Sequence, residues 1–372
     1  MTKVVFTVTN CICFDQRVLK MAESLSRLNC EITIAGRRLG DCCDSGSVPY
    51  KTKRFRMLFK KGFLFYSSFN LRLFFYLMFH RFDLIVANDL DSLLPGFIVT
   101  KLKRVNLVYD SHEYFTGLPE IQNRRLVKWI WTKIEQIIFP RLKNVITVSE
   151  PIALRYEEIY GFRPVVLRNL SKNADHISPF QRSDLGVALN DILLVIQGTG
   201  INVDKGAEEL IYAISQTEGI SLLVIGRGDV LSELKNMAVN LKIAERVKFI
   251  PAVTWEIMMK YTKTADIGMC LEKDTNLNYR FSLPNKLFDY IAAGIPVIAS
   301  DLPETRKIVN DNNCGIIIDP VTPANIAEAL NEIKMNPHKL AEYRRNSVIA
   351  ARSLNWETES EKVEAFYKRI IC

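Results

Sequence analysis

The chain has 372 residues, of which 48% are hydrophobic, 10% aromatic and 24% charged, and its formal net charge is +8. This composition is typical of a folded protein and excludes a collagen-like or low-complexity chain. The length predicts two domains, because single cores usually stop growing below about 300 residues. The most apolar stretch, residues 69–79, is interrupted by Asn70 and Arg72 and is too short for a membrane span.

The N-terminal segment and the cysteines bear on location and on metal binding. The apolar run at residues 4–8 is shorter than the core of a secretory signal, so we expect a cytoplasmic protein. The eight cysteines contain no C-x2-C pair, and the four histidines do not cluster with them. No metal site is therefore predicted.

The N-terminal half alternates β-branched runs with amphipathic segments. Residues 3–9 predict a strand and residues 15–28 a helix, because apolar side chains recur there at helical spacing. Further strands are predicted at 32–35, 83–87, 106–110 and 145–148, and further helices at 94–102 and 150–160. The polar segment 171–182 is predicted to be a hinge.

Positive charge is concentrated in this half. Residues 1–175 carry 27 Lys and Arg against 16 Asp and Glu, whereas the remainder has 22 against 25. Residues 51–82 contain eight Lys or Arg, including Lys60 and Lys61, and eleven aromatic residues, with no acid between Asp44 and Asp83. Such a mixture suits an anionic membrane surface. A core helix at 69–79 with a solvated basic loop is the alternative, and nucleic acid is disfavoured because no nucleic-acid motif occurs.

Alternation restarts at residue 192. Strands are predicted at 192–196, 222–225, 247–250, 267–271, 297–299 and 315–318, and helices from 207 and at 230–241, 255–262 and 284–293. Apolar strands between amphipathic helices predict parallel sheets covered on both faces. The expected fold is α/β, with two doubly wound, Rossmann-like domains facing across a cleft. We place them at residues 1–170 and 183–354, with a final helix at 355–372 packing back on the first.

Two segments of the second domain are suited to binding phosphate. Gly198 and Gly200 follow a strand, and Lys205 and Gly206 open a helix, so backbone amides and a cation are available there. A plain β-to-α turn explains the same glycines equally well. No G-x-G-x-x-G follows a strand and no P-loop occurs, which disfavours nicotinamide and P-loop chemistry.

The segment 281–299 is the stronger signal. Ser282 is predicted to cap a helix, Pro284 to occupy its first turn and Gly294 to end it. The helix N-terminus and Lys286 would form an anion site, and Asp289, one turn further on, could accept hydrogen bonds from ribose hydroxyls.

These segments together resemble the donor half of glycosyltransferase family 4, whose members are retaining enzymes of the GT-B fold. The resemblance implies that Lys205 binds the donor diphosphate and that Asp289 stands for the second glutamate of the family's E-x7-E segment. It also implies donor contacts from a group of loop and helix-start residues, namely Gly198, Gly200, Gly206, Ser282, Leu283, Pro284, Asn285 and Lys286.

The first domain resembles the acceptor half of the same family. The segments 15–20, 88–94, 109–113 and 147–150 carry this likeness, and His112 matches the histidine placed near the transferring sugar. His112, Lys205 and Asp289 are the predicted catalytic residues. The candidates for acceptor or membrane contact are Asp15, Asp89, Asp91, Glu113, Lys60 and Lys61.

Two positions depart from the family pattern. Phe281 occupies the place of the first glutamate, and Gly200 occupies the place where many members have an arginine. We expect Lys286, Asn285 and Arg280 to compensate for these losses.

The resemblance predicts a retaining, hexosyltransferase-type enzyme that needs no metal or cofactor. It would move a sugar from a nucleotide-diphosphate sugar to a glycan or lipid-linked acceptor in surface polysaccharide synthesis, at the inner face of the membrane. Two alternatives stay open. The first is an inert GT-B scaffold protein, which would show no nucleotide-dependent stabilisation. The second is a GT-B nucleotide-sugar epimerase, which would act without an acceptor.

Overall fold

The computed structural model describes residues 1–12, 15–38 and 48–371. The chain divides into two compact units, one made of Met1–Asn169 with Glu359–Cys372 and the other of Leu170–Thr358. Each unit is built on one parallel sheet, with helices between most pairs of successive strands. The prediction of two doubly wound parallel-sheet domains is confirmed.

The first unit has a seven-stranded sheet in the order β3-β2-β1-β4-β5-β6-β7. Its strands are β1 (Lys3–Thr7), β2 (Glu31–Arg37), β3 (Lys51–Phe55), β4 (Leu84–Asn88), β5 (Asn106–Ser111), β6 (Asn144–Thr147) and β7 (Val165–Val166). Its helices are α1 (Gln16–Arg27), α2 (Gly62–Phe79), α3 (Leu90–Lys103), α4 (Pro119–Gln122), α5 (Arg125–Ile138) and α6 (Glu150–Tyr160).

The second unit has a six-stranded sheet in the order β10-β9-β8-β11-β12-β13. Its strands are β8 (Ile192–Gly198), β9 (Ile220–Gly226), β10 (Val247–Pro251), β11 (Ile267–Cys270), β12 (Val297–Ser300) and β13 (Gly315–Ile318). Its helices are α7 (Ala207–Gln216), α8 (Leu231–Asn240), α9 (Trp255–Thr264), α10 (Leu277–Phe281), α11 (Asn285–Ala292), α12 (Pro303–Asp311), α13 (Pro323–Met335) and α14 (Pro337–Ala351). The last helix, α15 (Trp356–Ile371), belongs to the first unit from Glu359 onward.

The strand sequences explain why these sheets are covered on both faces. β8 begins Ile-Leu-Leu-Val-Ile, and this run is buried except at the half-buried Ile192. Leu194 and Ile196 pack into one apolar cluster, and Leu193 and Val195 pack into another on the opposite face. Alternate side chains of a strand point to opposite faces, so a continuous apolar run needs a helical layer on each side.

Helix α2 has one buried and one exposed face. Phe65, Phe69, Leu73 and Leu77 recur every four residues and are fully or almost fully buried. The core-helix interpretation is therefore correct for this face, although the helix begins at Gly62, earlier than expected. No helix in the described part of the chain is long and apolar enough to cross a bilayer.

The expectation of a basic solvated loop before α2 is wrong for its first five residues. Lys51–Phe55 forms β3, which pairs in parallel with β2 at the edge of the sheet. Lys51 and Lys53 are exposed, whereas Phe55 is buried. An edge strand tolerates such charges because only one of its sides is paired, and the charges discourage pairing with another chain.

Both sheets reverse their strand order at one position, between β1 and β4 in the first unit and between β8 and β11 in the second. Loops leaving the carboxyl ends of two such strands run in opposite directions and leave a crevice, where ligands of doubly wound folds bind. The functional residues of each unit are therefore expected in the loops after these strands.

Candidate functional site

A buried ion pair organises the crevice of the first unit. Asp110, at the end of β5, is fully buried, and Arg17 of α1 is 2% exposed. Arg17 Nη2 donates to Asp110 Oδ1 at 2.7 Å and Nε to Oδ2 at 3.0 Å, while Nη1 donates to the Leu167 carbonyl at 2.8 Å. Burial alone would raise the pKa of Asp110, but Arg17 and His112 together outweigh it and lower that pKa to about 2.

His112 lies between two carboxylates. Its Nδ1 is 3.4 Å from Asp89 Oδ2, and its Nε2 is 3.4 Å from Asp110 Oδ2. Burial would lower the pKa of His112, but the charges of Asp89 and Asp110 outweigh it and raise the pKa to about 10. The imidazole is therefore protonated at neutral pH and cannot serve there as a general base.

Asp89 holds this arrangement through an unusual backbone conformation. Its φ is +60°, a value that costs a non-glycine residue of the order of 1 kcal/mol or more. In that conformation its amide donates to the Asp110 carbonyl at 2.9 Å, and its Oδ1 accepts from the His112 amide at 2.9 Å. Burial raises the pKa of Asp89 to about 7. Strain of this kind is concentrated at functional sites.

Asp91, two residues further on, is tied to the end of β1. Its Oδ2 accepts from Thr9 Oγ1 at 2.5 Å, and burial raises its pKa to about 6. Its carbonyl accepts from Asn70 Nδ2 of α2 at 2.9 Å. Asp89 is the N-cap of α3 and Asp91 lies in its first turn, so both are close to the carboxyl end of β4, and their role towards an acceptor stays a prediction.

The protonation of His112 can be measured directly. Because its folded-state pKa is raised from about 6.5 to about 10, its charge stabilises the fold fully below pH 6.5, and this stabilisation is lost as the pH rises through 10. In ¹⁵N NMR the His112 ring should carry both protons at pH 8. The Asp89→Asn variant should titrate at a lower pH, and loss of the signal in His112→Gln gives the assignment. A wild-type midpoint near 6.5 would contradict this interpretation.

The other acceptor candidates are placed less centrally. Asp15 caps α1, where its Oδ1 accepts from the Val18 amide at 3.1 Å. Glu113 is exposed next to His112, and Lys60 and Lys61 are exposed at the start of α2. Asp15 thus has a structural role that sequence analysis did not assign.

In the second unit, two lysines meet at a buried glutamate. Lys205, in the loop after β8, has its Nζ 3.9 Å from Glu272 Oε1, and Lys286, in the first turn of α11, has its Nζ 2.8 Å from the same oxygen. Glu272 follows β11 and is 2% exposed. Burial would raise the pKa of Glu272, but Lys286 and Lys205 outweigh it and lower the pKa to about 2. The three side chains lie at the strand-order reversal of this sheet.

Sequence analysis did not identify Glu272. The family pattern directs attention to position 281, where the chain has Phe281 at the end of α10. Glu272 could have been found as the single acid directly after the apolar run of β11. A residue in that place lies at the carboxyl edge of the sheet, where ligands bind.

Close packing fixes Lys286 and Asp289 on α11. A Cβ at Gly268 of β11 would lie 2.2 Å from the Tyr290 ring, so this strand position admits only glycine. The Tyr290 hydroxyl lies 3.2 Å from the carbonyls of Val195 and Met269. Helix α11 is therefore held against β8 and β11.

Asp289 joins a polar network within this unit. Its Oδ1 accepts from Ser171 Oγ at 2.7 Å and from Trp255 Nε1 at 3.2 Å, and its Oδ2 accepts from Gln197 Nε2 at 3.2 Å. Gln197 Oε1 in turn accepts from Thr262 Oγ1 at 2.7 Å. A ribose hydroxyl that donates to the Asp289 carboxylate would do so beside these protein donors. Ribose binding by Asp289 stays a prediction.

The glycines of the loop after β8 have different roles. Gly206 has φ +73°, and a Cβ there would lie 2.5 Å from the Leu271 carbonyl oxygen, so a side chain is excluded. Gly198, at φ +154°, has an equally restricted backbone. Gly200 has no atom within 3.8 Å of its would-be Cβ, so space does not explain the absence of a side chain there.

Two expectations about the start of α11 are wrong. Ser282 does not cap this helix, because it ends the preceding α10 and its Oγ donates to the Tyr279 carbonyl at 2.8 Å. Pro284 occupies the N-cap position rather than the first turn, which starts at the exposed Asn285. Leu283 is 7% exposed and packs in the apolar core.

The described residues include no group of three or more His, Cys, Asp or Glu that could hold a metal ion.

Comparison with known proteins identifies the family. The model of "Glycosyltransferase Family 4" matches residues 15–169, and the model of "Glycosyl transferases group 1" matches residues 179–352. The chain belongs to glycosyltransferase family 4. A curated relative is the D-inositol 3-phosphate glycosyltransferase of Mycobacteroides abscessus, which is 26% identical over 196 residues, 51% of this chain and 42% of the relative. The matched part of this chain thus spans less than half the length of this relative.

Solved structures show that the family 4 chain has the GT-B fold. Sucrose-phosphate synthase from Thermosynechococcus elongatus superposes with a TM-score of 0.81 at 16% identity, over 99% of each chain. The Anabaena protein HepE in complex with UDP and glucose superposes with a TM-score of 0.77 at 17% identity, over 99% of this chain and 100% of HepE. The predicted GT-B architecture is confirmed.

Proposed function

We propose that the protein is a retaining glycosyltransferase that moves a sugar from a nucleotide-diphosphate sugar to a glycan or lipid-linked acceptor in surface polysaccharide synthesis. The observation that carries this proposal is the meeting of Lys205 and Lys286 at Glu272 Oε1. Two ammonium groups at the strand-order reversal of a doubly wound sheet suit the diphosphate of a nucleotide. The UDP complex of HepE, a protein of the same fold, agrees with this.

The proposed chemistry places positive charge on the leaving group. When the bond from the anomeric carbon to the diphosphate breaks, negative charge develops on the departing phosphate, and Lys205 and Lys286 stabilise it. His112 is protonated, so we assign it to positioning the sugar or the reacting oxygen and not to accepting a proton.

A transfer assay separates this proposal from its alternatives. Purified protein is incubated with radiolabelled UDP-, GDP-, ADP- and dTDP-sugars and with extracted membrane lipids. A glycosyltransferase yields label in a lipid or glycan product together with free nucleoside diphosphate. An epimerase yields a new nucleotide sugar without lipid, and an inert scaffold yields neither.

The acceptor side of the proposal rests on the exposed face of α2. Leu64, Leu71, Phe75 and Phe79 lie on one side of this helix, and Phe79 is 80% exposed. Lys60 and Lys61 are exposed at its start. We propose that this face lies on an anionic membrane surface, where lipid-linked acceptors are held. Exposed rings next to cations are favoured at headgroup depth.

A second helix, α5, has the same character, which sequence analysis did not identify. Leu126, Trp129 and Ile137 are exposed on it, and Trp129 is 59% exposed. Three cations share that exposed face, namely Arg125, Lys128 and Lys133. Helix α5 packs next to α2 through a perpendicular contact between the Trp131 and Tyr66 rings, whose centroids are 5.3 Å apart.

Sedimentation with lipid vesicles tests the membrane proposal. The protein should pellet with vesicles containing phosphatidylserine, should remain in solution with neutral vesicles, and should be released by 1 M salt. Removing two cations in Lys60→Ala/Lys61→Ala should weaken binding by about thirtyfold, since each contributes about 1 kcal/mol near such a surface.

The matched control removes two exposed lysines of the second unit, in Lys235→Ala/Lys307→Ala. This control should bind as the wild type does. Equal loss in both double variants would show that net charge alone drives the binding, and absence of sedimentation at low salt would reject the membrane proposal.

A further inference from the structure

We propose that Glu272 is a positioning residue that holds Lys205 and Lys286 together as a pair of cations directed at the donor diphosphate. This inference rests on the proposed function and assigns a role to a residue outside the family's E-x7-E segment. Glu272 itself is an anion, so it does not bind phosphate, and its effect on the reaction passes through the two lysines.

The contacts of Glu272 show how it can hold both lysines. Oε1 is shared by Lys286 Nζ at 2.8 Å and Lys205 Nζ at 3.9 Å. Oε2 accepts from the Cys270 thiol at 3.3 Å. The carboxylate is therefore fixed by β11 on one side and presents its other oxygen to two lysines, one from the loop after β8 and one from the first turn of α11.

Burial and mutual repulsion both disfavour the protonated forms of Lys205 and Lys286, and the Glu272 carboxylate counters them. Lys286 is 14% exposed, and burial alone would lower its pKa. Lys205 brings a second positive charge to the same oxygen, and like charges disfavour each other's ionised forms. The charge of Glu272 is the largest influence that counters burial, and the pKa of Lys286 is raised overall. Without Glu272, we expect one of the two lysines to lose its proton near neutral pH.

The other titratable groups facing this cluster do not replace Glu272. Burial raises the pKa of the Cys270 thiol and of the Tyr290 hydroxyl well above their ordinary values, so both stay neutral. The Tyr279 ring of α10 lies over Lys205, with Nζ 4.0 Å from its centroid. A ring face attracts a cation but does not supply a full negative charge.

The test is the pH dependence of nucleotide binding, with UDP, GDP, ADP and dTDP as probes. In wild type, affinity for the preferred nucleotide should change less than about twofold between pH 7.5 and 9.5, because both lysines stay charged. In Glu272→Gln, affinity should fall by about fivefold or more over the same range as a lysine deprotonates. The terminal phosphate of the nucleotide undergoes its second ionisation near pH 6, below this range, so it contributes little to the pH dependence of binding.

Two further variants separate positioning from a structural role. Glu272→Asp keeps the charge on a shorter side chain, so its affinity should be reduced but independent of pH between 7.5 and 9.5. Glu332→Gln removes the acid of an exposed Lys–Glu pair with Lys339 and should behave as wild type. Unfolding midpoints of all variants show which of them are folded.

The outcomes distinguish the two proposals. Wild-type-like, pH-independent binding in folded Glu272→Gln would overturn the role of Glu272 and leave the proposed function standing. Equal pH dependence in Glu272→Gln and Glu272→Asp would show a packing effect and would also overturn it. If wild type binds none of the four nucleotides, both the proposed function and this inference fail.

Discussion

Replacing Lys205 with alanine should lower the rate of sugar transfer by more than tenfold without unfolding the protein. Its Nζ is one of two ammonium groups at Glu272 Oε1, and its side chain is 20% exposed. A charge-assisted contact to phosphate contributes about 1.5–3 kcal/mol, which corresponds to roughly 10- to 150-fold in rate. Initial rates of transfer at saturating acceptor, measured over a range of donor concentrations, give kcat and kcat/KM.

Lys273→Ala provides the matched control for Lys205→Ala. Lys273 forms an ion pair with Glu209, and among the ion pairs that the structure records its side chain has none with the neighbouring Glu272. Its variant should keep kcat and kcat/KM within about twofold of wild type, because a partly exposed pair contributes little. Unchanged transfer in Lys205→Ala would remove this lysine from the mechanism.

Arg17→Ala should be among the most destabilising single substitutions in the first unit. It leaves the fully buried Asp110 without its bidentate partner. Removing one member of a buried ion pair typically costs about 3–5 kcal/mol, because an uncompensated charge remains. Urea unfolding at pH 7 measures the difference in the free energy of unfolding from wild type.

The pH dependence of that difference follows from Asp110. Its folded pKa is about 2, below the unfolded value of about 3.9, so its stabilising contribution is present above pH 4 and is lost as the pH falls towards 2. The difference in the free energy of unfolding between wild type and Arg17→Ala should therefore narrow as the pH falls from about 4 towards 2. Arg27→Ala, which removes an exposed arginine of the same helix, should cost under about 1 kcal/mol. Equal losses of unfolding free energy in Arg17→Ala and Arg27→Ala would contradict a stabilising role for the buried ion pair.

The sheets were predictable from the sequence because their signal is local. β1, β4 and β8 are short apolar runs, and each is buried on both faces as such runs require in a parallel sheet. The predicted start of α7 at 207 is correct for the same reason, since Gly206 supplies the positive φ that the turn needs.

Other elements were missed because their patterns are ambiguous. β3 contains three cations in five residues, and only its place at the sheet edge makes it a strand. Helix α5, by contrast, has apolar residues at helical spacing and could have been predicted; what its sequence does not show is that Trp129 is exposed while Trp131 is buried.

Some residues of the candidate site were identified from the sequence, but the clusters that they form were not. Lys205 and Lys286 were identified from local motifs, but their meeting at Glu272 joins the loop after β8, the end of β11 and the start of α11. Similarly, His112 was identified from the resemblance, whereas its place between Asp89 and Asp110 depends on the pairing of β4 with β5. Sequence spacing alone does not give such distances.

Thermal unfolding in the presence of nucleotides tests the central claim most directly. UDP, GDP, ADP and dTDP, and the corresponding nucleotide sugars, are each added to wild type and to Lys286→Ala. The account predicts that one nucleotide raises the unfolding temperature of wild type, since a ligand at a hundred times its Kd stabilises by about 2.7 kcal/mol. Lys286→Ala should lose most of that shift. No shift with any nucleotide, or an equal shift in both proteins, would contradict a donor site at Lys205 and Lys286.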